Sequence, residues 1–86
     1  MKVLFLGSVR QYTHDEESFE AEGAADIRSL TTLLRERYGE AFYLFIVGDN
    51  TCVILVNGNS IVATGGWDTP LHPGDTVDIL PFVDGG

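Results

Sequence analysis

Polar and apolar positions divide the chain into short strands around one clear helix. Val3-Leu4-Phe5-Leu6 is a continuous apolar run of strand length, which suits a central strand covered on both faces. Gln11 to Glu17 is polar and predicts a loop. Ser18-Phe19-Glu20-Ala21-Glu22 then alternates with a period of two and stops at Gly23, a second strand that would pair with the first as a hairpin. Asp26 stands where its carboxylate can accept the free N–H groups of a first helical turn, and Ile27, Leu30, Leu33, Leu34 and Tyr38 follow at helical spacing. Arg35 and Arg37 fall in the last turn, where the helix dipole favours cations, and Gly39 can take the left-handed conformation that stops the helix. The run from Ala41 to Val47 is apolar throughout, so its periodicity leaves strand and packed connection both open.

Val53-Ile54-Leu55-Val56 reads as a strand. Asn57-Gly58 after it tolerates the positive φ angles of a two-residue hairpin turn, so Ile61-Val62 is expected to return antiparallel. Gly65-Gly66-Trp67 reads as a loop, Pro73-Gly74 suits a type II turn, and Thr76 to Leu80 makes a last strand. Pro81 donates no ladder hydrogen bond, so regular pairing is expected to fade there. A hairpin, a crossover helix and further strands predict an α+β fold of the β-grasp type, a mixed sheet with one main helix packed on one face. A helix of about 12 residues is roughly 18 Å long and covers only one side of such a sheet. The other side is then expected to offer apolar residues to a partner.

Length and charge narrow the functional classes. With 86 residues the chain has room for one domain, and a domain of this size buries only about 60% of its unfolded surface, which disfavours catalysis in a deep cleft. No apolar run approaches the roughly 20 residues that span a bilayer. The start, Met1 to Gly7, lacks the h-region and cleavage site of a secretory signal, so a cytoplasmic protein is expected. Five basic residues against thirteen acidic ones give a net charge of -8, which repels phosphate backbones and anionic lipid and favours a basic patch on another protein. Nucleic acid and membrane are therefore not expected partners. Cys52 is the sole cysteine, which excludes an intramolecular disulfide or a four-cysteine iron–sulfur cluster. It is read as a small hydrophobe at the head of a strand.

Other residues that invite a site carry weaker signals. His14 and His72 lack companions at metal-ligand spacing, so no metal is expected. Gly65-Gly66 lacks the rest of a phosphate-binding or dinucleotide fingerprint. Trp67 is read as packing for its loop, and Asp15-Glu16-Glu17 as a solvated loop rather than a docking patch.

The end of the chain carries more chemistry. Residues 1–81 form the expected domain and residues 82–86, Phe82-Val83-Asp84-Gly85-Gly86, a tail ending in two glycines. Glycines at a terminus are often plain disordered tail. Here, however, the pair stands at the end, shortly after a strand-breaking proline and on a β-grasp pattern. Two residues without Cβ make a narrow peptide that can thread a tight channel. An α-carboxyl group with a pKa of roughly 3.5 is an anion at neutral pH and resists nucleophiles until it is activated. Transfer to the α-phosphate of ATP would supply a leaving group, and a sulfur nucleophile could then leave a thiocarboxylate. That is the logic of a group carrier.

Val56-Asn57-Gly58, Leu71, Gly74-Asp75, Val77, Leu80-Pro81, Val83 and Gly85-Gly86 resemble the MoaD/ThiS family of ubiquitin-like sulfur carriers. The resemblance implies a carrier rather than an enzyme, in some members the small subunit of a synthase, with no permanently bound cofactor. It implies that an enzyme related to ubiquitin-activating enzymes uses ATP to adenylate Gly86, which then becomes a thiocarboxylate, with Gly85 as the narrow spacer. The implied partners are that adenylating enzyme, a sulfur donor and a sulfur acceptor such as a molybdopterin synthase large subunit. Leu80, Pro81, Phe82, Val83 and Asp84 are the candidate partner contacts. The MoaD branch usually carries two prolines before the valine, whereas Phe82 follows Pro81 here. Molybdopterin synthesis leads among the implied routes, with thiazole, cysteine and tRNA thiolation also open. The competing functions are a protein modifier that forms isopeptide bonds with lysines, and a plain binding module that uses the uncovered sheet face.

Overall fold

A computed structural model of the chain describes residues 1–48 and 51–82. Five strands form one mixed sheet in the order β2-β1-β5-β3-β4. They are β1 (Lys2–Phe5), β2 (Ser18–Glu20), β3 (Cys52–Val56), β4 (Asn59–Ser60) and β5 (Thr76–Pro81). β1 pairs antiparallel with β2 and parallel with β5, and β3 pairs antiparallel with β5 and β4. The first and last strands thus lie side by side at the middle of the sheet, and the mixed sheet is the one that the β-grasp reading expects.

Between β2 and β3 the chain crosses through two helices, α1 (Ile27–Tyr38) and α2 (Glu40–Val47). Asp26 caps α1 by accepting the Ser29 N–H at 2.8 Å, and Gly39, at φ 102°, turns the chain between the helices. Ile27, Leu30 and Leu34 from α1, with Phe42 and Ile46 from α2, cover the sheet face formed by Val3, Phe5, Ile54, Val56, Val77 and Ile79.

Three local expectations are corrected. The apolar run after Gly39 is a helix, neither strand nor connection. Phe42 and Ile46, four apart, are buried, and Phe45 is partly so. Because Leu44 and Val47 on the outer side are apolar too, the helical period does not show in the sequence.

The strand that returns after the Asn57-Gly58 turn is Asn59–Ser60, while Ile61–Thr64 is a single helical turn, α3. The Ser60 hydroxyl oxygen accepts the Val62 N–H at 3.2 Å, a cap that ends the strand and starts the turn. Asn57 and Gly58 have φ 51° and 85°, as this hairpin requires.

Pairing also does not fade at Pro81, which stands opposite Cys52, and the Phe82 N–H donates to the Thr51 carbonyl at 3.1 Å. Backbone groups of β5 point alternately to its two neighbours, and those of Pro81 face the β1 side, where β1 has already ended at Phe5. The missing N–H of proline therefore breaks no ladder bond.

Candidate partner interface

Alternation along three strands builds the face opposite the helices. The registers Leu4↔Asp78↔Leu55 and Leu80↔Val53 place these five residues together on that side, all half-buried, with the more exposed Leu6 just beyond β1. The uncovered apolar face expected from the sequence is therefore present. Leu80 belongs to it, as its candidacy as a partner contact requires. Leu4, read from its apolar run as part of a strand covered on both faces, stands instead on the open face with Val53 and Leu55, because such a run does not show which residues face outward until the register is known.

The other candidates part company with Leu80. Pro81 is opposite Cys52 and points to the helix side. Phe82 is 56% exposed at the end of the strand, against a groove of about 300 Å³ lined by Ile46, Cys52, Val53, Ile61 and Trp67. It is neither folded fully onto the sheet edge nor free of it. Trp67 is partly buried against the core, as read. Val83, Asp84, Gly85 and Gly86 lie outside the described residues.

Asn57-Gly58 and Gly74-Asp75, two of the resemblance motifs, form one locked pair of turns. Asn57 Nδ2 donates to Asp75 Oδ1 at 3.0 Å, Asn57 Oδ1 accepts the Thr76 N–H at 3.0 Å, and Asp75 Oδ2 accepts the His72 N–H at 2.9 Å. Gly74 has φ 92°, and the Asp75 N–H donates to His72 O at 3.1 Å, completing the turn expected at Pro73-Gly74. This lock sets the register of β5 against β3, and with it which β5 side chains reach the open face.

The Asn57 amide and then the His72 N–H hold the Asp75 carboxyl below its ordinary value of 3.8. A depressed carboxyl contributes stability above its unfolded pKa and loses it as pH falls through the folded one. Asn57→Ala removes both amide contacts and puts a Cβ-bearing residue without local hydrogen bonds at φ 51°. It should cost roughly 1–2 kcal/mol in urea unfolding at neutral pH. The gap from the parent should narrow below the ordinary Asp75 value of 3.8; a gap independent of pH would contradict the lock.

Elsewhere the chemistry is quiet. The Cys52 thiol donates to the Ile46 carbonyl at 3.3 Å, and burial pushes its pKa up to about 11, so it is protonated at neutral pH and a poor nucleophile. Glu16 is not simply solvated: it accepts from the Tyr38 hydroxyl at 2.6 Å and pairs with Arg37 at 3.6 Å, while Glu17 pairs with Arg10. These contacts tie the acidic loop to α1 and to the turn after β1. His14 and His72 are exposed. No helix among the described residues is long and apolar enough to cross a membrane.

The family model described as the ThiS family matches residues 3–86. The chain belongs to the ThiS family. Its members are ubiquitin-fold sulfur carriers, small carrier proteins rather than catalysts. No curated protein matches the chain. Among solved structures, a chain of the Amycolatopsis orientalis BexX/CysO complex is 26% identical, with a TM-score of 0.81 over 99% of this chain and 98% of that one. Small archaeal modifier protein 1 (SAMP1) from Methanosarcina acetivorans is 26% identical, with a TM-score of 0.79 over 99% of this chain and 94% of that one. The putative molybdopterin converting factor subunit 1 from Pyrococcus furiosus is 31% identical, with a TM-score of 0.72 over 95% of each chain.

Proposed function

We propose that this ThiS-family chain works in the cytoplasm by lending the α-carboxylate of Gly86 to partner enzymes. A carboxylate oxygen of Gly86 attacks the α-phosphorus of ATP on an adenylating partner, pyrophosphate departs, and an acyl-adenylate results. The terminal sulfur of a donor persulfide then attacks the acyl carbon and AMP departs. A second thiol attacks the donor-side sulfur of the acyl disulfide, forming a disulfide on the donor and leaving a C-terminal thiocarboxylate for an acceptor enzyme. The chain's own part is to hold the acyl group where another active site can take it. Gly85 keeps that approach narrow, since it has no Cβ.

The observation that supports this best is the reach of the family match, which runs through Gly85 and Gly86. Geometry adds a constraint. Four residues follow Phe82, and four residues span at most about 14 Å. An enzyme that acts on Gly86 therefore has to come up to the end of β5, beside Leu80 and Phe82. The net charge of -8 favours a basic surface on that enzyme. The similarity to a molybdopterin converting factor subunit supports molybdopterin synthesis as the destination, and the similarity to a CysO complex keeps a second sulfur route in play.

Intact mass after incubation with ATP, a sulfur donor and the adenylating enzyme of the source cell tests the reading. The mass should rise by the exchange of one oxygen for sulfur; an unchanged mass with an enzyme that loads its other carrier would sink it. The similarity to a small archaeal modifier supports a second use, in which a lysine amine takes the same acyl group as an isopeptide. Conjugates that vanish on deletion of Gly86 would establish that use.

A further inference from the structure

The centre of the open face holds a residue that strand formation does not explain. Asp78 lies in the middle of β5, the central strand, where aspartate is a poor strand former. Its neighbours across the ladders are Leu4 and Leu55, and two residues along the strand on the same face is Leu80. Its Oδ1 is sealed from solvent and accepts no hydrogen bond among the described residues. Lys2, at a diagonal position on β1, makes no ion pair with it among the described residues. A charge whose only task is to keep this face soluble would stand in water; this one is half sunk among leucines.

A buried acceptor without a donor is costly, and a sequence that retains such a local conflict often does so at a functional position. We propose that Asp78 selects the partner that docks on this face: a protein surface that presents an arginine guanidinium at the centre of an apolar patch. Leu4, Val53, Leu55 and Leu80 take the apolar ring, and the carboxylate takes the guanidinium. Rotation of the carboxylate about χ2, a soft torsion, lets both oxygens accept from the planar fork. Arginine fits better than lysine because it is less strongly hydrated and donates in pairs. The free protein holds an unmet acceptor that only the right partner satisfies, and that is a device for specificity. The inference rests on the carrier reading in that it names the chemistry of the enzyme that approaches Gly86.

Backbone-amide NMR of the full chain, titrated with n-butylguanidinium and with its neutral analogue n-butylurea, tests the site without the partner. The guanidinium should shift the amides of Leu4, Leu55, Asp78 and Leu80 and bind at least about fivefold more tightly than the urea. Asp78→Asn should erase that preference. Asp78→Leu should raise the melting temperature by about 4 °C, the effect of relieving roughly 1 kcal/mol in a small domain. Equal binding of the two probes, shifts centred on Glu16 and Glu17 instead, or a lower melting temperature for Asp78→Leu would each overturn the proposal. Guanidinium binding at Asp78 by a chain that never takes up sulfur would reject the carrier reading and support the site itself.

Discussion

A chain extended by one alanine after Gly86 should fold and melt like the parent and take up no sulfur. Among the described residues the buried core runs from Val3 to Ile79, and an alanine added after Gly86 replaces none of those side chains. Chemically the change is decisive. The acyl carbon of Gly86 becomes part of a peptide bond, and the free carboxylate moves to a residue that carries a Cβ, which the narrow approach proposed for Gly85 and Gly86 would exclude. Loading measured by intact mass should fall at least about a hundredfold, the loss typical when a reacting group is moved from its productive geometry. Circular dichroism should show the same melting curve for both proteins. Sulfur uptake at the parental rate would mean that the reactive group is elsewhere, and Cys52, protonated and partly buried, offers no ready alternative.

Elements whose ends carry their own chemistry were legible before the structure. Asp26 and Gly39 bracket α1, Asn57-Gly58 and Pro73-Gly74 mark turns by their φ requirements, and each stands where the sequence places it. Leu80 was singled out as a candidate contact through the family pattern alone, and the structure places it on the open face. What stayed hidden depends on which residues meet across space. The parallel pairing of β1 with β5 decides that Leu4 shares a face with Leu80, and no local pattern contains that pairing. Asp78 was passed over for the same reason, since alone it reads as an ordinary polar position on an alternating strand. α3 was hidden differently: Ile61 and Val62 have the β-branched composition of a strand, and only the Ser60 cap shows that a helical turn starts there.

α2 provides the most demanding check on the fold, because the strand that its sequence left open and the helix that the structure shows predict opposite results for one residue. Phe42→Ala should cost about 3–5 kcal/mol, a large share of the roughly 5–15 kcal/mol that holds a domain together. Phe42 is fully buried, and its ring lies 5.8 Å from Phe5, 5.7 Å from Tyr38 and 5.7 Å from Tyr12, so it joins α2 to β1, α1 and the turn after β1 at one point. Its removal leaves a cavity that four separate elements would have to close, and the melting temperature should drop by on the order of 15 °C. Leu44→Ala gives the contrast. In a strand, alternation would put Leu44 on the same face as Phe42 and Ile46, and its truncation would be comparably severe. In the helix it is turned outward and 57% exposed, so its loss should stay within about 0.5 kcal/mol. Chemical denaturation of the two variants separates these cases directly. A Leu44→Ala protein as damaged as Phe42→Ala would put residues 42, 44 and 46 on one buried face, and the helical packing over Phe5 would then be wrong.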